Sequence, residues 1–260
     1  MNRIGFYPGM VAFQTILKKE VLRFLRIWPQ TLLPPAITMS LYFIIFGKFI
    51  GSQIQQIQGY SYIQYIVPGL VMMAIITNAY GNTASSFFLS KFNKSIEEML
   101  VSPMSNLIIL LGFAIGGTLR GLLVGIIVMF IAFFFTHIPI LHPMIIIVIA
   151  FCASTFFSLA GLINAIYAKR FDDISFVPTF VLTPLTYLGG VFYSINQLSP
   201  TWHFISLFNP ILAIVDTFRY GLLGISDLNI AIGLGLVALM LVFTFLWAWW
   251  LLCRGVGIKI

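Results

Sequence analysis

Arg120 is the residue whose type and setting most call for a chemical account. It stands near the middle of an apolar run, Leu107–Phe135, beside Gly116, Gly117 and Gly121. An arginine at the centre of a spanning helix costs about 2.5–3.5 kcal/mol on insertion scales, so its guanidinium must face protein or water. Two chemistries answer that need. One is contact with an anionic group of a transported molecule. The other is structural hydrogen bonding to carbonyls or to Asn78, Asn82 or Asn164, and the adjoining glycines favour it because small residues mark close helix packing. No Asp or Glu lies within any apolar run, so no salt bridge is expected for Arg120.

Asn78, Asn82 and Ser85 follow one another at steps of four and three. On a helix they give one face a polar stripe, which either lines a substrate path or holds helices together through hydrogen bonds. Asp216 and Arg219 are three apart and can pair on one helical face. The remaining polar chemistry is sparse. His137, His142 and His203 fall in connecting loops, and His137 and His142, five apart with Pro139 between them, have poor metal-ligand spacing. No Ser/His/Asp set shares one side of the chain. No G-x-x-x-x-G-K-[ST] loop occurs, so the chain is not expected to hydrolyse ATP unaided, and neither a catalytic residue, a cofactor nor a metal site is expected in it.

These residues are carried on a sequence of 260 residues that is 60% hydrophobic and 8% charged. Soluble chains are about 25% charged, and 14 basic plus 7 acidic residues cannot clothe a water-soluble domain of this length. The expected fold is all-α, one polytopic membrane domain over 1–260. A span needs about 20 apolar residues to cross about 30 Å of hydrocarbon. Six runs qualify: Thr31–Ile50, Tyr62–Leu89, Leu107–Phe135, Met144–Ala168, Ile174–Tyr193 and Leu228–Leu252. Pro178, Pro184, Gly189 and Gly190 interrupt the fifth, which makes it a candidate bend or hinge. The stretch 194–227 is apolar but holds Asp216 and Arg219, and it is expected to form an external or re-entrant helical hairpin.

Ahead of the first run, over 10–28, Met10, Phe13, Leu17, Val21, Phe24 and Trp28 alternate with Thr15, Lys19, Arg23 and Arg26 at helical spacing. This predicts a basic amphipathic helix lying in the membrane interface. Pro29, Pro34 and Pro35 separate it from the first span. Lys18, Lys19 and Glu20 break its apolar character, so it does not read as a cleaved signal peptide. Cys152 and Cys253 are not placed for a disulfide.

Basic residues set the expected orientation. Arg3, Lys18, Lys19, Arg23, Arg26, Lys91, Lys94, Lys169, Arg170, Arg254 and Lys259 all fall on one side of a six-span arrangement. Both termini are therefore expected in the cytoplasm. The net charge of +7 is spread over several loops, which argues against nucleic acid as a partner. The loop 90–103 on that side predicts a short helix, with Ser95 and Glu98 matching a capping box and Pro103 marking its end. Phe92, Ile96, Met99 and Leu100 can share an apolar face with Glu97 exposed, which either docks a partner or turns the chain. In the next turn on that side, Lys169–Asp173, Asp173 is the expected N-cap of the fifth span.

The sequence resembles the ABC-2 family of transporter permeases, most closely its YadH-like inner-membrane group, over nearly its whole length. The likeness is carried by Arg23–Trp28 running into Pro34 and Pro35, by Val67–Leu70, by Ile96–Val101 before Pro103, and by Phe157–Leu162 before Asn164. It continues through Phe171–Ile174, Pro184–Tyr193, Asn209–Pro210 and Phe218–Gly221. The resemblance implies an exporter subunit in the plasma (inner) membrane that works as a homodimer with separate ABC ATPase subunits, which bind the ATP and Mg. It implies that 90–103 is the coupling helix, with Ile96, Glu97, Glu98, Met99 and Leu100 at the ATPase. Arg23 and Arg26 of the connecting helix, and Asp172 and Asp173, would also lie there. The substrate would be amphipathic, lipid-linked or drug-like, with Asn78, Asn82, Ser85 and Arg120 along its path. An ATP-independent secondary transporter is the alternative, but such carriers usually place acidic or histidine residues within spans. An intramembrane enzyme would need several polar groups at one depth.

Overall fold

The computed structural model describes residues 6–257 apart from 52, 55 and 103. The expectations resting on Arg3, Pro103 and Lys259 lie outside the described residues. Among the described residues every regular element is a helix, and Ile57 and Tyr60 form an isolated bridge. The order is α1 (Phe6–Arg26), α2 (Trp28–Thr31), α3 (Leu33–Tyr42) with a π-helical continuation (Phe43–Ile50), α4 (Tyr62–Phe92), α5 (Ser95–Val101), α6 (Asn106–Phe135) and α7 (Pro143–Tyr167). Then come α8 (Phe171–Val177), a π-helical turn (Pro178–Leu182), α9 (Thr183–Tyr187), α10 (Pro200–Leu207), α11 (Pro210–Leu223) and α12 (Ile230–Arg254).

Five helical stretches are long and apolar enough to cross a membrane: Trp28–Gly47, Tyr62–Phe92, Asn106–Phe135, Pro143–Tyr167 and Ile230–Arg254. The expected run Ile174–Tyr193 takes a different form. Its helix begins at Phe171, passes through the π-helical turn and ends at Tyr187, and the chain then bends at Gly190 with φ 67°. Pro178 and Pro184 open the π-helical turn and α9 respectively, where a missing N–H disturbs the hydrogen-bond ladder.

The centre of the bundle is α4, enclosed by α6 and α7. Apolar side chains gain nothing by leaving lipid for protein, so close packing and hydrogen bonds must hold these helices together. Thr83 Oγ1 lies 2.6 Å from Ser158 Oγ, Ser158 Oγ donates to the Ala114 carbonyl at 2.7 Å, and Ser154 Oγ donates to the Thr118 carbonyl at 2.9 Å. The glycines around Arg120 serve this contact: a Cβ on Gly121 would come 2.5 Å from Ser154 Oγ.

α1 packs along α6. Gly112 and Gly116 leave a groove into which Ile16 and Glu20 fit, a Cβ on Gly116 coming within 2.6 Å of Glu20 Cβ. Gly9 lies against Ile108, Ile16 against Gly112 and Glu20 against Gly116, so the two helices run parallel. The bundle-facing stripe of α1 is Ile16, Glu20 and Phe24, all buried, while Met10 and Leu22 stay exposed. The packed face is thus centred on a glutamate, not on the apolar stripe read from periodicity, because Glu20 finds partners inside. Pro29, Pro34 and Pro35 sit in the first turns of α2 and α3 and break the path as expected.

Between α9 and α12 come α10 and α11, and α11 packs into one end of the bundle. Ile211, Ile214, Val215, Phe218, Leu222 and Leu223 of α11 join the core with α4 and α7. The His142 N–H donates to the Gly221 carbonyl and Tyr60 Oη to the Leu223 carbonyl, so the end of α11 lies beside the starts of α4 and α7. Val191 lies against Gly69, about two turns along α4 from Tyr62.

Candidate functional site

At the C-terminal end of α1 the structure gathers six polar side chains from three helices. Glu20 is fully buried, and its carboxylate accepts from Ser86 Oγ at 2.6 Å and pairs with Arg23 at 3.4 Å. Arg23 Nη2 also donates to Asn82, at 2.8 Å to Oδ1 and 3.2 Å to the backbone carbonyl. Arg120 reaches the same Asn82 Oδ1 at 3.4 Å, Asn78 Oδ1 at 3.3 Å and the Thr31 carbonyl at 3.5 Å. Arg120 thus faces Asn78 and Asn82, though each of its contacts is longer than the usual hydrogen-bond range. Asn164 is elsewhere, donating to the Ile174 carbonyl. Ser85 stands one turn further along α4, exposed, its hydroxyl donating to the Gly81 carbonyl at 2.7 Å.

The acidic member of this network was missed because Glu20 lies outside every apolar run and next to two lysines. Its pairing three residues before Arg23 was the available signal. Arg23 is turned inward to Asn82, whereas Arg26 is exposed. Arg23 is level with Arg120, fourteen residues and so about 21 Å along α6 from Asn106.

A second set lies at the far end of α6. α5 is held by Ile96, which is fully buried among Phe88, Leu110, Ala165 and Leu252, with Met99 and Leu100 half-buried on the same core. Glu98 is exposed, Glu97 partly so, and Val101 is 88% exposed. The expected capping box does not form: the helix follows Lys94 at φ 60°, and Ser95 Oγ instead donates to the Ser90 carbonyl. Lys91 Nζ donates to the Ile166 and Ala168 carbonyls, capping the free end of α7. Phe92 and Phe171 meet at 5.2 Å, joining this end of α4 to α8. Asp172 is exposed beside Tyr167 and Phe176. Asp173 stands at the third position of α8 and is not its N-cap: its carboxylate accepts from the Lys169 and Arg170 backbone N–H groups at 2.8 and 2.9 Å. Those two donors hold its pKa below the ordinary carboxylate value. The structure thus places α5, Asp172 and Asp173 at one end of the bundle, and Arg23 and Arg26 well away from it.

Asp216 and Arg219 form the expected pair, 3.5 Å apart and each about 1% exposed. Arg219 lies over the Tyr65 ring at 4.1 Å and donates to the Gly190 carbonyl. Asp216 accepts from the Asp227 and Leu228 backbone N–H groups.

The described residues form long apolar helices fit to cross a membrane, with a short helix exposed at one end. The family model for the ABC-2 type transporter matches residues 11–223, and the chain belongs to that family. It is 51% identical over 249 residues to the inner membrane transport permease YadH of Escherichia coli K12, covering 96% of this chain and 97% of that protein. It is 25% identical over 243 residues to nodulation protein J of Neorhizobium galegae, covering 91% of each, and 25% identical over 212 residues to that of Rhizobium leguminosarum, covering 79% and 80%.

Proposed function

We propose that this chain is the membrane-spanning subunit of an ATP-binding-cassette exporter. Two copies would form the path, each served by a separate ATPase subunit that binds ATP and Mg. The observation that carries the reading is α5: a seven-residue helix fixed to the bundle by Ile96 while Glu98 and Val101 project from its end. Its other face being committed to its own core, a push on the exposed edge would be passed directly to α4, α6 and α7. Glu97, Glu98 and Asp172 are the proposed ATPase contacts, with Met99, Leu100 and Asp173 setting their positions.

Six crossings accord with the paths of the helices. α4 runs from the end that bears Tyr62 to the end that bears α5, α6 returns, and α7 and α12 each run the first way again. A sixth crossing between Tyr167 and Ile230 fits these paths, and α8, α9 and the residues after them are its proposed route. The start of α1 lies by Ile108, and Asn106 Nδ2 donates to the Leu252 carbonyl of α12, so both ends of the described chain lie beside α5. Lys91, Lys94, Lys169, Arg170 and Arg254 share that end, which supports a cytoplasmic location for it. The name of the Escherichia coli relative agrees with an inner-membrane location. The hairpin would then enter the outer half of the bundle. Thr77, Gly81 and Ser85 form a partly polar outer face of α4, exposed at Thr77 and Ser85, that suits a path between two copies better than lipid.

The test is co-purification from mild detergent of wild type beside Glu97→Lys/Glu98→Lys. An ATPase subunit is expected with wild type and lost from the variant. If no ATPase accompanies wild type and transport survives ATP depletion, the reading fails.

A further inference from the structure

The network around Asn82 holds fewer negative charges than positive ones. It holds two guanidinium groups, Arg23 and Arg120, against one carboxylate, Glu20, a surplus of one positive charge. Both guanidiniums converge on one neutral amide oxygen, Asn82 Oδ1. Three buried donors there have no hydrogen-bond partner: Arg23 Nε, Arg120 Nε and Asn82 Nδ2, the last on a side chain that is fully buried. Buried donors without acceptors and like charges without a counterion are both costly. Next to them α4 is open: nothing lies within 4 Å of a Cβ placed on Gly81, and Ser85 and Thr77 are exposed.

Depth points to the kind of anion. Hydrocarbon about 30 Å thick spans about 20 helical residues. Counted from Tyr62 this ends at Asn82, from Pro143 at Ile163 and from Ile230 at Trp250. Trp247, Trp249 and Trp250 are all exposed at that level, as expected of side chains in the headgroup zone. Arg120 lies five residues, about 7 Å, inside the plane counted from Phe135, within reach of it for so long a side chain. We propose that Arg23, Arg120 and Asn82 bind a phosphate group at the cytoplasmic headgroup level, carried by an amphiphile that enters beside Gly81 and Ser85. A phosphate supplies the missing charge and several acceptors, and guanidinium groups match its geometry. The inference deepens the substrate-path reading above and rests on it for the route of entry, but the binding itself requires no ATPase.

The test uses protein purified in a non-ionic detergent with any bound ATPase retained. Thermal unfolding is followed while dioleoyl phosphatidylglycerol, dodecyl phosphate, inorganic phosphate or dioleoylglycerol is added. The expected result is stabilisation by the two lipid phosphates with about tenfold weaker apparent affinity in Arg120→Gln and in Arg23→Gln, as loss of a charge-assisted hydrogen bond would give. The surface variant Lys169→Gln should behave as wild type. Stabilisation by inorganic phosphate alone would keep the site and assign it to a soluble phosphate. Equal responses in all variants, or an equal response to uncharged dioleoylglycerol, would overturn the proposal. Should Arg120→Gln not fold, Arg120→Lys keeps the charge but loses the fork, and the same weakening is expected. The proposal can fail while an ATPase still co-purifies, and can hold when none does.

Discussion

Arg219 and Arg120 both sit among the helices of this bundle, and their surroundings differ in kind. Arg219 is closed off: 1% exposed, ion-paired with Asp216, donating to the Gly190 carbonyl and covered by the Tyr65 ring. Its Nε has no hydrogen-bond partner, yet its charge is balanced by Asp216. Arg120 has only neutral oxygens at 3.3–3.5 Å, a second guanidinium nearby and an open helix face beside it. The first arrangement fixes α11 to α4 and to the turn at Gly190. The second leaves charge unmatched beside an open face of α4. An ionic group is thus no sign of function by itself; the balance of its neighbours decides.

The sharpest way to break this comparison is to remove each arginine. Arg219→Ala leaves Asp216 buried without its cation, and such a loss costs about 3–5 kcal/mol. The yield of monodisperse protein and the midpoint of thermal unfolding should both fall steeply. Arg120→Gln is expected to stay within about 1 kcal/mol of wild type when no lipid phosphate is added, since removing a guanidinium also removes its desolvation penalty. Equal losses at the two sites would erase the distinction. Between these lies Gly116→Leu. Its side chain would collide with Glu20 in the α1 groove, and overpacking of this kind costs about 1–3 kcal/mol. It should also loosen Arg23 from Asn82 and so weaken phosphate-dependent stabilisation. A variant with normal stability would show that α1 does not need the groove.

Much of this was legible beforehand, for identifiable reasons. Long apolar runs declare helices because lipid permits little else, and Asp216 and Arg219 could be paired because helical spacing fixes which side chains meet. Arg120 could be linked to Asn78 and Asn82 because few acceptors were available. Glu20 could not be placed, since its burial depends on Gly112 and Gly116, nearly a hundred positions away. The position of Arg23 was equally hidden: helical periodicity gives the faces of α1 but not which of them α6 will cover. The early end of the fifth run at Tyr187 depended on how Gly190 and α11 pack, which local composition does not encode.

The smallest expected effect concerns the end of the bundle that bears α5, where Asp173 contrasts with both arginines by being exposed. Its carboxylate accepts two backbone N–H groups at the start of α8, and these hold its pKa below the ordinary value. A carboxyl group whose pKa is lower in the folded than in the unfolded state stabilises the fold above the unfolded pKa, about 3.9 for Asp, and loses that contribution as pH falls through the folded value. Asp173→Asn should therefore unfold at a slightly lower temperature than wild type at pH 7, and the two curves should converge in acid below the ordinary carboxylate range. The comparison is made by thermal unfolding at several pH values in one detergent. If the gap persisted unchanged in acid, the carboxylate charge would not be what holds the turn. A gap that widened as pH fell would reverse the sign argued here and place the protonated form of Asp173 in the folded state.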